Sequence, residues 1–159
     1  MKANLSSVLA FATFTALAAQ GSVFEMRRVE QRGAAKTTSF KLQNAGRVDT
    51  VALSNEVLLD RSALSGARVT EERVAVTSGR NPELKAVPAI QLSFTGAGQK
   101  RFAELSKSLA GKQIGVVMDG RLVAAPILRD NVAGNSVTLT GAFTKNDAEA
   151  LVAKVKSGK

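Results

Sequence analysis

Two hydrophobic periodicities alternate in order through the second half of this chain. Ala89–Phe94 places an apolar side chain at every second position, which is typical of a strand with one buried face. Thr95 is a residue type that commonly caps helices. Apolar side chains starting at Phe102 then recur at i, i+3 and i+7 before Gly111, as in an amphipathic helix. This order favours a fold in which helices pack against strands.

A hairpin and a further strand continue the order. Ile114–Met118 is predicted to be a strand, Asp119-Gly120 is a strong hairpin-turn signal, and Arg121–Ala125 is predicted to return as the second strand. Gly134-Asn135 predicts another turn, and a strand begins near Val137.

A second helix is predicted after Thr144. Thr144 and Asp147 have the spacing of a capping box. The apolar positions that follow form one helical stripe, made of Ala148, Leu151, Val152 and Val155. The sequence therefore predicts an α+β fold, with an antiparallel or mixed sheet and two helices packed on one face.

The first half has weaker strand patterns. Phe24–Val29 is predicted to be a strand with Phe24 and Met26 on one side, and the basic segment Glu30–Arg47 is predicted to be a long loop or a weak hairpin. Two short strands, a turn and a longer strand are expected next, in the order Val51–Leu53, Val57–Leu59, Leu64–Ala67 and Val69–Val76.

The first twenty residues have the three-part plan of a secretory signal peptide. Lys2 supplies a positive charge, and Leu5–Ala19 contains no charged residue. This apolar run is shorter than the roughly 20 residues of a membrane-spanning helix. Ala16-Leu17-Ala18 has the A-x-A form of a cleavage site, which predicts cleavage between Ala18 and Ala19.

This prediction determines the expected domain organisation and location. Residues 1–18 are expected to be the signal peptide and residues 19–159 a single domain that is periplasmic or secreted. A buried core helix or an uncleaved membrane anchor is the alternative interpretation of the first segment.

The composition limits the chemistry that the chain can perform. It contains no Cys and no His, which excludes zinc fingers, haem or iron–sulfur ligation, disulfides and any Ser–His–Asp or Cys–His mechanism. We therefore expect no catalytic residue, no metal, no cofactor and a non-enzymatic role. An enzyme that uses carboxylates, or Ser and Lys, is the alternative. Glu71 and Glu72 do not favour it, because neighbours in a strand point to opposite faces.

Basic residues exceed acidic ones by 22 to 13, which gives a formal net charge of +9. Much of the surplus lies in one region, as Arg27, Arg28, Arg32, Lys36, Lys41 and Arg47. Such a patch is typical of a surface that binds anionic partners, and a solvated surface that only aids solubility is the other interpretation. Nucleic acid is not expected, because no Trp or Tyr is present to stack on bases and the signal peptide directs the chain away from the genome.

Residues 88–159 carry an ordered series of motifs. They are a strand ending in Phe94, the small-residue turn and helix Gly96–Phe102, the hairpin Gly111–Pro126, the strand-Gly-x-Phe segment Thr138–Thr144, and a final helix with Ala148–Leu151 and Ser157-Gly158. In this order they resemble the head part of the first large periplasmic region of SecD, a membrane subunit that assists Sec-dependent protein export. The similarity is looser upstream, at Phe24–Val29 and Val57–Val69.

The resemblance implies a role in protein export. The head of that family is expected to contact emerging polypeptide, so unfolded or exported polypeptide and Sec translocon components are the implied partners. SecD also has six membrane spans, a ferredoxin-like base and a membrane acidic residue for proton coupling, none of which is found here. The chain therefore looks like a free-standing head domain and not a proton-driven motor.

Two functional hypotheses follow. In the first, the domain binds extended polypeptide by β-augmentation at an exposed strand edge, with Arg121 and Val123 or the strand near Val137 as the candidate edge. In the second, the basic region docks on an anionic partner such as membrane lipid, as a peripheral contact that depends on Arg27 and Arg28. The oligomeric state stays open.

Overall fold

The computed structural model describes residues 22–44, 46–78, 81–129 and 134–158. Its elements in chain order are β1 (Phe24–Glu30), β2 (Thr37–Asn44), β3 (Arg47–Asp60), a 3-10 turn (Arg61–Ala63), β4 (Leu64–Ser78), β5 (Asn81–Phe94), α1 (Gly96–Ser108), β6 (Ile114–Met118), β7 (Arg121–Ala124), β8 (Ser136–Thr140) and α2 (Lys145–Ser157). The predicted cleavage site at Ala18 and Ala19 lies outside the described residues. None of the described helices has the length and apolar character needed to cross a membrane.

The strands form two antiparallel sheets. One sheet has five strands in the order β2-β3-β1-β6-β7, and the other has three in the order β4-β5-β8. Helix α2 packs against β4 and β5, and α1 contacts β3 and β5. The predicted α+β class is confirmed, and the strands divide between two sheets.

Both sheets and both helices contribute to one main core. Phe24 and Met26 are buried on the same side of β1, as the sequence predicts, and Ile90 and Leu92 are buried in β5. The apolar stripe of α2 is buried at all four predicted positions, Ala148, Leu151, Val152 and Val155. A smaller cluster around Leu53, Val117 and Leu122 lies apart from this core.

The basic segment before β3 forms the hairpin alternative of the prediction. β2 pairs along its whole length with β3, from Thr37 opposite Ser54 to Asn44 opposite Arg47. β3 is one strand of 14 residues, so the expectation of two short strands is wrong. Its polar middle stays extended because Ser54 pairs with β2, and the backbone N–H of Asn55 donates to the carbonyl of Lys36 at 2.9 Å.

The turn expected at Leu64–Ala67 is also wrong, because β4 begins at Leu64. The chain passes from β3 to β4 one step earlier, in the 3-10 turn. There the Asp60 carboxylate accepts hydrogen bonds from the Ser62 hydroxyl at 2.5 Å and the Ser62 N–H at 2.8 Å. These hydrogen bonds lower the pKa of Asp60. Gly66 lies at a register shift between β4 and β5, so it marks a bulge instead of a turn.

Candidate binding groove

The two edge strands of the five-stranded sheet lie beside each other. β2 is the first strand of that sheet and β7 the last, and the sheet curls so that β2 contacts β7. A groove of about 520 Å³ lies at this junction. Its walls come from the β2–β3 hairpin, the Asp119-Gly120 turn with β7, the segment after β8, and α2.

The groove combines apolar side chains with positive charge. Phe40, Val48 and Phe143 line it, and Val48 is 57% exposed. Lys41 and Arg121 line the same groove, and both are exposed. An extended segment lying here would meet apolar surface and two cations, between two strands whose outer edges carry no further strand among the described residues.

The Asp119-Gly120 turn has the backbone that the sequence predicts. Asp119 has φ 51° and Gly120 has φ 71°, which are the two positive values of a type I′ hairpin turn. The ammonium group of Lys154 contacts the Asp119 carboxylate. This contact ties the turn to α2 and fixes the start of β7 at the groove.

The outer edge of β7 is partly covered at the predicted docking residue. Val117 pairs with Leu122 and Val116 with Ala124, so Val123 is the extra residue of a bulge. Gly141 lies so close that a Cβ there would be 2.6 Å from the Val123 carbonyl oxygen. The Val123 side chain is buried. What β7 offers a partner is therefore its backbone near Arg121 and the Arg121 side chain.

Two members of the predicted basic patch are engaged in ion pairs. Arg27 pairs with Glu25 at 2.6 Å, and Arg28 pairs with Glu30 at 2.6 Å. The Arg27 side chain is 17% exposed and also donates to the carbonyl of Ser54 at 3.4 Å. These contacts give Arg27 and Arg28 structural partners within the fold.

The other four members of the patch are exposed, and the ion pairs of the described residues do not include them. They are Arg32, Lys36, Lys41 and Arg47. Arg32 donates to the carbonyl of Thr50 at 3.4 Å, and Lys41 lies directly across from Thr50. The structure thus brings Lys41 to the groove together with Arg121 and Val123, whereas Arg32 is not among the residues that line it.

Sequence reasoning missed Phe40, Gln43 and Val48, and it included Phe143 in the strand-Gly-x-Phe segment Thr138–Thr144. Phe143 is partly buried and packs against the main core while it also lines the groove. Phe40 had a local signal, because it stands two residues before Leu42 in an otherwise polar segment, as on one face of a strand. Val48 had no local signal, since its role depends on a neighbour more than 70 positions away in the sequence.

Other residue patterns noted in the sequence have structural roles. Gly98 packs against the backbone of Ala63 at the start of α1, so tight packing explains the small residue at this position. Glu71 and Glu72 are exposed and adjacent in β4. In the described ranges, acidic side chains do not form a group of three that could hold a metal ion.

Comparison with known proteins gives one consistent result. The family model for the SecDF P1 head subdomain matches residues 37–159. The protein translocase subunit SecD of Syntrophobacter fumaroxidans is 26% identical over 125 residues, which cover 78% of this chain and 22% of the relative. The protein translocase subunit SecDF of Thermus thermophilus is 27% identical over 150 residues, which cover 89% of this chain and 20% of the relative.

Solved structures of SecDF share the fold. One, of a SecDF described as a membrane component that enhances protein export, aligns with a TM-score of 0.61 and 21% identity over 88% of this chain and 64% of the other. A crystal structure of SecDF in a super-membrane-facing form aligns with a TM-score of 0.62 and 22% identity over 87% of this chain and 19% of the other. The chain spans about a fifth of the length of the curated relatives it matches.

Proposed function

Because the chain belongs to the family of SecDF P1 head subdomains, we propose that it is a non-enzymatic accessory domain of protein export that binds extended segments of unfolded polypeptide. The groove between β2 and β7 is the observation that carries the proposal. It joins two strand edges, an apolar wall and two cations in one place.

The proposed mechanism is strand addition. Backbone N–H and C=O groups at a strand edge bond an extended segment without regard to its sequence, because every residue except proline offers the same backbone groups. Phe40, Val48 and Phe143 contact apolar side chains of the segment, and Lys41 and Arg121 favour acidic ones. A folded protein has few free backbone groups to offer, so the groove selects unfolded chains.

The proposed partners and location follow from the family. Exported polypeptide, with components of the Sec translocon, is the proposed partner class, and the signal peptide predicted to end at Ala18 favours a periplasmic or secreted location. The described residues provide the binding surface but no membrane-spanning helix.

The test measures binding of the purified full chain to a fluorescently labelled unfolded polypeptide and to the same polypeptide folded, over a series of salt concentrations. Preference for the unfolded form that persists at high salt is the expected result. Binding to neither form, or binding that disappears with salt, would overturn the proposal.

Val123→Pro tests whether capture depends on an intact β7. Proline removes the N–H of the bulge residue and so perturbs β7, and we expect weaker capture of unfolded polypeptide. Circular dichroism establishes that the variant is folded. Unchanged capture by the folded variant would exclude the Val123 part of β7 and leave the backbone near Arg121, or β2, as the docking edge.

A second candidate function is docking of the basic region on an anionic membrane surface. The exposed cations Arg32, Lys36, Lys41 and Arg47 favour it. Vesicles with and without anionic lipid distinguish the two functions, because lipid docking declines steeply with salt and needs no unfolded polypeptide.

A further inference from the structure

β4 presents a long strand edge with no proline. It has 15 residues, and among the described residues it pairs with β5 alone. The three other edge strands, β2, β7 and β8, have eight, four and five residues. A long unprotected edge exposes a row of backbone donors and acceptors that can pair with another strand.

The neighbouring strand β5 protects its outer edge with proline. The N–H of Phe94 donates to the carbonyl of Asn135, on the β8 side of β5. N–H directions alternate along a strand, so every second residue before Phe94 faces the same side. Pro82 and Pro88 occupy such positions. Both residues remove a donor from this edge beyond the end of β8. Prolines therefore interrupt the outer edge of β5 but not that of β4, which leaves the β4 edge able to pair with another strand.

The distal half of the β4–β5 hairpin has little cover. From Glu71 to Val76 and from Pro82 to Ala86 the described side chains are exposed, apart from the half-buried Val74. Leu84 is 69% exposed. A two-stranded ribbon is marginally stable in water, and a third strand or a packed face is what normally stabilises it.

We propose that two copies of this chain associate through the outer edges of β4, paired antiparallel about a two-fold axis at Thr70. The two three-stranded sheets then become one six-stranded sheet, in the order β8-β5-β4-β4-β5-β8. This inference concerns a surface separate from the proposed groove, and it holds or fails independently of polypeptide binding.

Charge selects this register. In an antiparallel strand pair, the two residues directly opposite each other lie on the same face of the sheet. A two-fold axis perpendicular to the sheet therefore places one residue opposite the same residue of the second copy. With Thr70 at the axis, Arg68 lies opposite Glu72 of the second copy, and this pair occurs twice. Axes at Glu71, Glu72 or Arg73 would place like charges directly opposite each other, which is destabilising.

The same register gives the exposed ribbon a neighbour. Because the strands run antiparallel about Thr70, the half of each β4 that packs against the core lies beside the uncovered half of the other. Helix α2 packs against β4, so the body of one copy comes to lie beside the ribbon of the other.

Charge reversal tests the register in the full chain. Arg68→Glu places like charges opposite each other at both symmetric sites, and so does Glu72→Arg, so each change should raise the dimer dissociation constant about tenfold or more. The double variant restores opposite charges and should restore the dimer. Sedimentation velocity over a concentration series measures these constants. Absence of dimer at the highest soluble concentration, or a dimer that Arg68→Glu leaves unchanged, would overturn the proposal.

Cysteine cross-linking provides a second readout, because the chain contains no cysteine of its own. Thr70→Cys places two thiols directly opposite each other, within the range that a disulfide spans. Glu71→Cys on the same strand and Thr140→Cys on β8 are matched controls. We expect a covalent dimer under mild oxidation from Thr70→Cys and little from either control. Equal cross-linking by all three would show random collision and overturn the register.

Discussion

Gly98 in the first turn of α1 lies directly against the carbonyl group of Ala63. A Cβ at Gly98 would lie 2.1 Å from the Ala63 oxygen and 2.8 Å from its carbonyl carbon. The same oxygen accepts a hydrogen bond from the N–H of Thr95 at 2.9 Å, and the Thr95 hydroxyl caps the N–H of Gly98 at 3.0 Å. The start of α1 is therefore fixed to the 3-10 turn that leads from one sheet to the other.

Gly98→Ala should destabilise the domain by about 1–3 kcal/mol. The atoms that a methyl group would meet belong to the backbone, so they cannot rotate away as a side chain could. Urea unfolding measures the change in the free energy of unfolding. Gly96→Ala is the matched control, because a Cβ there has no neighbour within 4 Å, and alanine in place of glycine in a helix stabilises by up to about 1 kcal/mol. Equal stability of the two variants would contradict the close-contact argument.

Local patterns predicted the elements whose stability depends on nearby residues. The alternation in Ala89–Phe94 gave β5 its buried face, and the capping residues Thr95 and Thr144 begin α1 and α2 as expected. In Asp119-Gly120 the turn conformation depends only on the tolerance of these two residues for positive φ. Such features are predictable because their energetics involve a few adjacent residues.

Features that depend on pairing between distant segments were missed. The polar residues between Val51–Leu53 and Val57–Leu59 suggest a break, yet β2 holds them extended as part of one strand. Gly66 looks like a turn residue because a bulge and a turn favour glycine for similar reasons. The groove forms because β2 lies beside β7. Hydrophobic periodicity does not indicate which two strand edges will lie next to each other.

Val48→Ser should weaken binding of unfolded polypeptide about fivefold. Val48 is 57% exposed in the groove, and covering its exposed surface with a bound segment contributes about 1 kcal/mol. Fluorescence anisotropy with the labelled unfolded polypeptide measures the dissociation constant. Leu84→Ser is the matched control, since Leu84 is 69% exposed on the β4–β5 hairpin and does not line the groove. A larger effect of Leu84→Ser than of Val48→Ser would move the binding surface to the hairpin.

The structure changes which cations should matter for docking on anionic lipid. The sequence-based hypothesis assigned this docking to Arg27 and Arg28, which pair with Glu25 and Glu30. Arg32→Gln should therefore reduce binding to anionic vesicles about fivefold, because a cation at a membrane surface contributes about 1 kcal/mol. Vesicle co-sedimentation at low salt measures the loss.

Arg27→Gln should instead affect stability. Removing the guanidinium leaves the Glu25 carboxylate, whose side chain is 12% exposed, without its ion-pair partner, so we expect a loss of about 1–2 kcal/mol in urea unfolding. Vesicle binding should stay near that of the parent chain. If Arg27→Gln lowers vesicle binding as much as Arg32→Gln while the fold stays intact, the docking surface includes β1.

The capping box of α2 should give the domain a specific acid sensitivity. The Asp147 carboxylate accepts hydrogen bonds from the N–H of Thr144 at 3.0 Å and from its hydroxyl at 2.7 Å, and these lower the pKa of Asp147 from 3.8. A carboxyl group with a lower pKa in the folded state stabilises the fold above its unfolded pKa, and the contribution disappears as the pH falls through the folded pKa. Stability should thus begin to fall below about pH 4, the ordinary range for an aspartate.

Asp147→Asn should flatten this part of the curve of unfolding free energy against pH. Asp49→Asn, at an exposed position in β3, is the control and should keep the parent dependence of unfolding free energy on pH. If Asp147→Asn also keeps that dependence, the capping box contributes no acid sensitivity.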